Sequence, residues 1–506
     1  MLRGNAQNEC NQHESDDFLF LASEDEPLLK RQQSLSPDRF LTRRRHIVRH
    51  SLTKAIRKNR RECSPSRRVF SPKTRPGRLF QSIPSLMKRL IILCVLVPSL
   101  AFAGLRAKPT PTPKPTPTPV TVGVDGNEPL IAEAPDGTLY ISALQHIYSS
   151  SNSGATWTEL LGPIYASSIN LNSDSSISVD PGNRLYFTFD YPYAGTTAVC
   201  TSDDRGITWN CNPAVVPGGT DRMWTLAPTI TDDYETTNEG LYETSFLHST
   251  DRGSTWAPTS IGAGLLEPQT GPLLQIPGSS NVLQITKIFG TLPQETPELK
   301  LYVYSPNSTG SIIAAVRSTG LGLPVALPSA ALSKTGELWV ASEEPNPAGG
   351  EQVVLARSTN EGVTWSKLPP IPGTTTGTAT FTWVAAGSAG HVGVIYYYTP
   401  DSANPNGDLT VFANSTWSAM WAETFNADSP APTWTVKVLE PNIHTGAICA
   451  ASGCSGDNRF SGDFISALID SKDVAHLTWM KEDMATQATT ILYERIKSTP
   501  PKIKTK

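Results

Sequence analysis

Two short stretches of the sequence set arginine beside aspartate among glycines. GGTDRMW, from Gly218, joins Asp221 to Arg222, and GDNRFSGDF, from Gly456, surrounds Arg459 with Asp457 and Asp463. A guanidinium stays charged and offers a fork of donors that matches a carboxylate, while a nearby aspartate can give or take a proton. Asp221, Arg222, Arg459 and Asp463 are therefore the candidate catalytic residues, with acid, metal-ligand and ion-pair roles all open. Tyr396, Tyr397 and Tyr398 form a run on a strand, where alternation turns Tyr397 to the opposite face from its neighbours; packing explains them more simply than chemistry. His391 and His444 have no partners at ligand spacing and read as structural histidines. Clustered loop oxygens such as those of Asp203 and Asp204 are where a structural calcium would sit, although no EF-hand loop occurs. There is no Walker loop, GxSxG or HExxH, and no cofactor is expected.

The elements that must position these residues announce themselves by repetition. SSNSGATW ends at Trp157, SDDRGITW at Trp209, STDRGSTW at Trp256 and STNEGVTW at Trp365, and an eroded ADSPAPTW ends at Trp434. Successive tryptophans are 52, 47, 109 and 69 residues apart, so the long gap hides a silent copy. A unit of that length cannot bury its apolar face alone and must stack on its neighbours, and the period suits a four-stranded propeller blade. Turn-then-strand signals recur in step at DGTLYISA, GNRLYFTFD, EGLYETSF, SNVLQITKIFG, TGELWVASE, GHVGVIYYY and DVAHLTWMK. They alternate with period two, and no long stretch has helical periodicity. The fold class is all-β, a six- or seven-bladed β-propeller of four-stranded antiparallel blades over residues 120–498. Within each octapeptide, Asp or Asn at the third position is expected to accept from backbone N–H groups two residues on. Gly at the fifth supplies a positive φ, and the Trp drops its ring between blades.

Composition divides the chain. Residues 1–86 carry 18 Lys and Arg against 9 Asp and Glu and read as a disordered basic extension, and Met87 stands where a start codon is expected. From Val120 onward 19 basic face 37 acidic residues, a net charge of −18, which argues against nucleic acid as a partner. MKRLIILCVLVPSLAFA, residues 87–103, has the basic start, apolar run and A-x-A end of a signal peptide, or of an uncleaved signal anchor. The Pro/Thr-rich linker 104–119 should form a stiff polyproline II spacer, and 499–506 is a basic tail. A secreted, periplasmic or cell-surface monomer is expected, touching a membrane only through the leader. Four cysteines remain after the leader. Cys200 and Cys211 flank one octapeptide symmetrically, so its hairpin would set them opposite each other for a disulfide, and Cys449 and Cys454 could close a tight loop. Zinc at CAASGC would lack a second ligand cluster.

The octapeptides match the S-x-D-x-G-x-T-W pattern of the Asp-box, or bacterial neuraminidase repeat, and the chain resembles the sialidase superfamily of propellers. GGTDRMW and the stretch from His444 to Trp479 further resemble exported sialidase-like repeat proteins. The resemblance implies a glycan or glycoprotein ligand. It also implies three arginines clamping a substrate carboxylate, a tyrosine nucleophile activated by glutamate, and an aspartate acid and base. Here the first blade has Asn127-Glu128-Pro129 where the family has Arg-Ile-Pro, so the first clamp arginine is absent. Of the propeller's eight arginines, Arg205 and Arg252 lie inside octapeptides and Arg357 sits just before one; among Arg184, Arg222, Arg317 and Arg459, Arg222 and Arg459 lie in Gly- and Asp-rich segments entering a blade, and Arg317 is less well placed. Two functions stay open, a glycoside hydrolase of sialidase type and a non-catalytic glycan- or protein-binding surface module.

Overall fold

A computed structural model of the chain describes residues 119–500, apart from 164–173, 192–195, 218–219, 240–242, 262–268, 289–297, 306–312, 406, 408, 449–459 and 461. The basic extension, the leader, nearly all of the linker, Asp457, Arg459, Cys449 and Cys454 lie outside the described residues.

Seven four-stranded antiparallel sheets make up the described body. Six are built from consecutive strands, whose innermost members are Leu130–Glu133, Ser175–Val179, Thr220–Leu226, Gln269–Gln275, Ser329–Leu332 and Thr378–Ala386 in blades 1 to 6. Blade 7 takes Ser466–Ile469, Ala475–Asp483 and Ala488–Ile496 from the end of the chain and its outermost strand, Val120–Val124, from the beginning of the body. Each inner strand packs against those of the blades before and after it, and the seventh returns to the first. The fold is therefore a seven-bladed propeller whose ring is closed by pairing one chain end with the other. Val120 lies opposite Tyr493 and Val124 opposite Thr490 in that closure.

The second strand of each blade is buried on both faces, since a neighbouring sheet covers each. Val282–Ile288 and Leu139–Ala143 are buried at every position. Sequence alternation here distinguishes two protein-facing sides, and its polar members bond between blades. Gln284 donates to Thr236 Oγ1 at 2.6 Å, and Thr188 donates to Glu235 at 3.4 Å. One expected strand is displaced: EGLYETSF straddles the connection 240–242, and the second strand of blade 3 is Asp233–Glu239. The turn before it has no glycine. Thr229 Oγ1 takes the N–H groups of Thr231 and Asp232 at 3.1 and 2.8 Å instead, a local signal subtler than Gly.

The octapeptides lie between the third and fourth strands. Ser202 Oγ accepts the Gly206 N–H at 2.8 Å, and Asp204 accepts both the N–H and the hydroxyl of Thr208, at 2.8 and 2.6 Å. The acceptor thus reaches four residues on, not two, because Arg205 and Gly206 are both left-handed (φ 63° and 84°) and curl the chain back. Asn152, Asp251 and Asn360 hold Thr156, Thr255 and Thr364 identically, at 3.0, 2.8 and 2.9 Å. In the eroded copy the role passes to Asn426, which accepts the N–H of Thr433 seven residues on at 2.9 Å. Each turn leans on the preceding blade. Trp157 meets Tyr493 of blade 7 edge-on at 5.0 Å, and Trp209 Nε1 donates to Leu161 O beyond blade 1 at 3.0 Å. A Cβ at Gly154 would collide with the Tyr493 ring. Cys200 and Cys211 lie opposite each other on the third and fourth strands of blade 2 and form the expected disulfide.

Candidate functional site

Antiparallel order places the third-to-fourth turns, and so the octapeptides, on one face. The connections from blade to blade lie on the other. Glu128, Asp174, Asp221 and Asp463 all occupy such blade-to-blade positions, each at or just before an inner strand of blade 1, 2, 3 or 7. They consequently converge around the axis on the face away from the octapeptides.

Local irregularity aims the side chains. The pairing of inner with second strand shifts between Asp221 and Trp224 in blade 3 and again between Thr380 and Trp383 in blade 6. Arg222 and Phe381 are left-handed at the two bulges, with φ of 53° and 57°. Each bulge delivers a tryptophan to the axis. Trp224, Trp383 and Phe464, from blades 3, 6 and 7, meet with ring centroids 5.2 to 5.9 Å apart. Three rings from across the circle form an aromatic plug, and Trp224 Nε1 is satisfied by Thr270 O at 2.8 Å.

Arg222, two residues before a plug tryptophan, is the centre of a charge network. Its side chain donates to Asp221, and to Asp463 Oδ2 at 2.8 Å; its backbone N–H donates to Asp174 Oδ2 at 3.1 Å. Asp463 in turn gives its N–H to Glu128 Oε1 at 2.9 Å. Gly462 is left-handed (φ 66°), and a Cβ there would collide with the Glu128 carboxyl. Blades 1, 2, 3 and 7 are thereby tied together at the axis.

Burial and mutual repulsion set the protonation. Burial, then Asp174 and Asp463, push Glu128 well above the usual carboxylate range. Asp174 is pushed up to about 7 by burial and by Asp221 and Asp463, against the pull of Arg222. Burial opposes the charge on Arg222, but Asp463, Asp221, Asp174 and Glu128 together hold it above the ordinary guanidinium value. Across the ring, burial lowers Lys287 to about 8 although Glu343 supports its charge. Lys287 donates to Val325 O at 3.2 Å, and Glu343 accepts from Thr382 N at 2.9 Å and Val325 N at 3.0 Å.

Of the four residues singled out by type and spacing, Asp221, Arg222 and Asp463 come together, the last two 241 residues apart in sequence. Arg459 lies outside the described residues. Glu128, Asp174, Lys287 and Glu343 were not singled out. Glu128 had a signal, since it sits in the Asn-Glu-Pro that replaces the family's Arg-Ile-Pro; the other three had none.

The remaining arginines on the rim bind rim carboxylates and carbonyls. Arg205 pairs with Asp136 at 2.6 Å, Arg252 with Asp203 at 3.0 Å, Arg184 with Asp203 at 3.4 Å, Arg357 with Glu337, and Arg317 with Glu361 O. Arg495 is exposed on the strand Ala488–Ile496, so among the described arginines Arg222 is the one bonded to the axial carboxylates. Tyr396 and Tyr397 are buried, and Tyr397 OH accepts from Met480 N at 3.1 Å. His444 is paired with Glu482 at 2.5 Å and stacked on Phe460, and His391 is paired with Glu423 at 2.9 Å. Asp204 serves its own turn and Asp203 its arginines; among the described residues no three His, Cys, Asp or Glu side chains are grouped to hold a metal ion.

No family model matches the chain, and no curated protein matches it. Solved structures do. An ulvan lyase, a polysaccharide lyase bound to -[GlcA(1-4)Rha3S]-, is 13% identical with a TM-score of 0.45, covering 74% of this chain and 95% of its own. A chain of a mitotic checkpoint complex is 9% identical with a TM-score of 0.44, covering 79% and 99%. Sialidases are also among them. The NanB sialidase from Streptococcus pneumoniae, as a single-site mutant, is 12% identical with a TM-score of 0.39, covering 76% and 71%. Likeness this distant leaves function to be argued from the site.

Proposed function

We propose that this chain is a glycan-directed propeller, exported from the cell, that engages non-anionic saccharide at the axial end carrying Glu128, Asp174, Asp221, Arg222 and Asp463, without the carboxylate clamp of a sialidase. The observation that carries this reading is the commitment of Arg222, whose two terminal nitrogens are taken by Asp221 and Asp463. An acidic sugar would have to displace one of these carboxylates and leave it without its cation. Hydroxyl groups of a neutral sugar, by contrast, can donate to the half-exposed Asp221. The Asp-box resemblance supports the glycan assignment, the Cys200–Cys211 disulfide supports an oxidising compartment, and the acidity of the body argues against a nucleic acid partner.

One observation favours hydrolysis as a second reading. Asp174 keeps its proton up to about 7, the property required of an acid that protonates a leaving sugar oxygen. The test is a glycan array of neutral and sialylated glycans, together with aryl glycosides of both kinds, offered to the full chain. Retention of neutral glycans, weakened by Asp221→Asn, is expected. Turnover of a neutral glycoside would establish the second reading, and turnover of a sialoside would overturn both.

A further inference from the structure

The other end of the axis, on the octapeptide face, is ringed by the turns that join inner to second strands. In blades 5 to 7 these turns close on one another. Lys334 of blade 5 gives its N–H to Gly387 O of blade 6 at 2.9 Å, and its Nζ to Ser471 O and Asp473 Oδ1 of blade 7 at 3.0 and 2.7 Å. A Cβ at Gly387 would collide with Asp473 and Ile469. Blades 7, 1, 2 and 3 instead leave a cavity of about 530 Å³ between their turns, within the span of small-molecule sites. Proline recurs at the turns of blades 1, 2 and 3, as Pro135, Pro181 and Pro228, and all three line the cavity beside Ala227. Proline has no N–H to offer, so this wall presents ring carbons. Where blade 7 meets blade 1 the lining is charged, by Glu133 and Lys472. Glu133 is half-buried at the end of its inner strand, and Lys472 is exposed. Burial and Asp470 raise the Glu133 carboxyl above its usual range, and Lys472 draws it down, yet among the described residues neither side chain forms an ion pair or a hydrogen bond. The neighbouring carboxylates are committed. Asp470 Oδ1 accepts the N–H groups of Lys472 and Val474, both at 2.8 Å, and Asp136 is paired with Arg205 at 2.6 Å.

We propose that this cavity is a binding site of its own, for a small zwitterion that carries an aromatic ring, a free dipeptide of the alanylphenylalanine type, with its ammonium on Glu133, its carboxylate on Lys472 and its ring against Pro135, Pro181 and Pro228. Two unpaired charges of opposite sign beside an apolar wall match a ligand that has both charges and an apolar body. A neutral saccharide leaves both charges without a counter-charge, and a ligand with one charge meets its like in Glu133 or Lys472. Prolyl C–H groups pack on the electron-rich faces of aromatic rings, the contact that proline-rich segments make in aromatic grooves. The site lies at the opposite end of the axis from Arg222 and shares no residue with it, so it stands or falls independently of the glycan reading.

The experiment is isothermal titration of the full chain at pH 7 with alanylphenylalanine, its N-acetyl form, its C-terminal amide and alanylalanine. The free dipeptide is expected to bind at least about ten-fold tighter than each of the others, the worth of one charge-assisted hydrogen bond for the blocked forms and of a buried ring for alanylalanine. Lys472→Met should remove the preference over the amide and keep that over the N-acetyl form, and Glu133→Gln should do the reverse. Lys472 holds its turn through its backbone N–H, and glutamine keeps the shape of the Glu133 carboxyl, so both variants are expected to fold, as circular dichroism would check. Absence of binding by the parent chain, equal binding of either blocked form, or folded variants that keep both preferences would each overturn the proposal. Equal binding of alanylalanine overturns the assignment of a ring to the prolines.

Discussion

At the scale of single residues, the Asp-box turns and the axial cluster use carboxylates in opposite ways. Asp204 is half-buried in its turn, and its bonds to the hydroxyl and N–H of Thr208 lower its pKa to about 2. A depressed folded value means that its contribution is present above the unfolded value of about 4 and is lost as pH falls from there to about 2. Asn already does the same work at Asn152 and Asn360, whose side-chain amides donate to Thr156 and Thr364 at 2.8 and 2.9 Å. Asp204→Asn should therefore keep the melting temperature at pH 7 and reduce its fall in acid, while Asp204→Ala lowers it throughout; thermal scans from pH 2 to 7 check both. At the axis, Arg222 is a buried cation on which carboxylates from several blades depend. Arg222→Ala should destabilise the fold by about 3–5 kcal/mol, measured by denaturant unfolding, because Asp463 is left buried without that partner. If the loss is under about 1 kcal/mol, the network does not tie the blades.

At the scale of elements, the turn between third and fourth strands is a self-contained unit. In the four intact copies its bonds span four residues, so its side-chain register can be read from the octapeptide alone. In blade 2 the disulfide closes the same hairpin outside the octapeptide, with Cys200 and Cys211 separated by 11 residues. Reduction, or Cys200→Ser with Cys211→Ser, should lower stability by about 2–3 kcal/mol, as expected for so short a loop, without loss of the seven-bladed fold. Denaturation with and without reductant, followed by tryptophan fluorescence, reads this. The inner-strand bulges behave otherwise. Nothing in TDRMW or TFTWV by itself announces a left-handed Arg222 or Phe381; the bulges exist because the axis must be filled by Trp224 and Trp383.

At the scale of the whole molecule, packing seven sheets in a ring buries both faces of each second strand and carries ionisable groups inward. Asp233 and Glu235 are fully buried between blades, and burial pushes both carboxyls well above the usual range. The folded protein therefore holds protons that the unfolded chain releases near pH 4, so stability falls as pH rises from about 4 toward the folded values. With the Asp-box loss at lower pH, this places the stability maximum on the acid side of neutral. Glu235→Gln should flatten the decline between pH 4 and 8 and leave the protein at least as stable as the parent at pH 8. An unchanged slope in pH-dependent unfolding would show that Glu235 ionises without cost.

The repeated octapeptides, their spacing, the all-β class and the Cys200–Cys211 pairing were legible in the sequence because each depends on residues close along the chain. Asp221 and Arg222 were legible as a pair for the same reason. Only the tertiary structure decided that there are seven blades, since that depends on Val120–Val124 crossing to pair with Ala488–Ile496. It likewise decided that Glu128, 335 residues from Asp463, joins it and Asp174 around one arginine. Such contacts carry no local signature: ring closure brings the ends together, and burial then sets their charge.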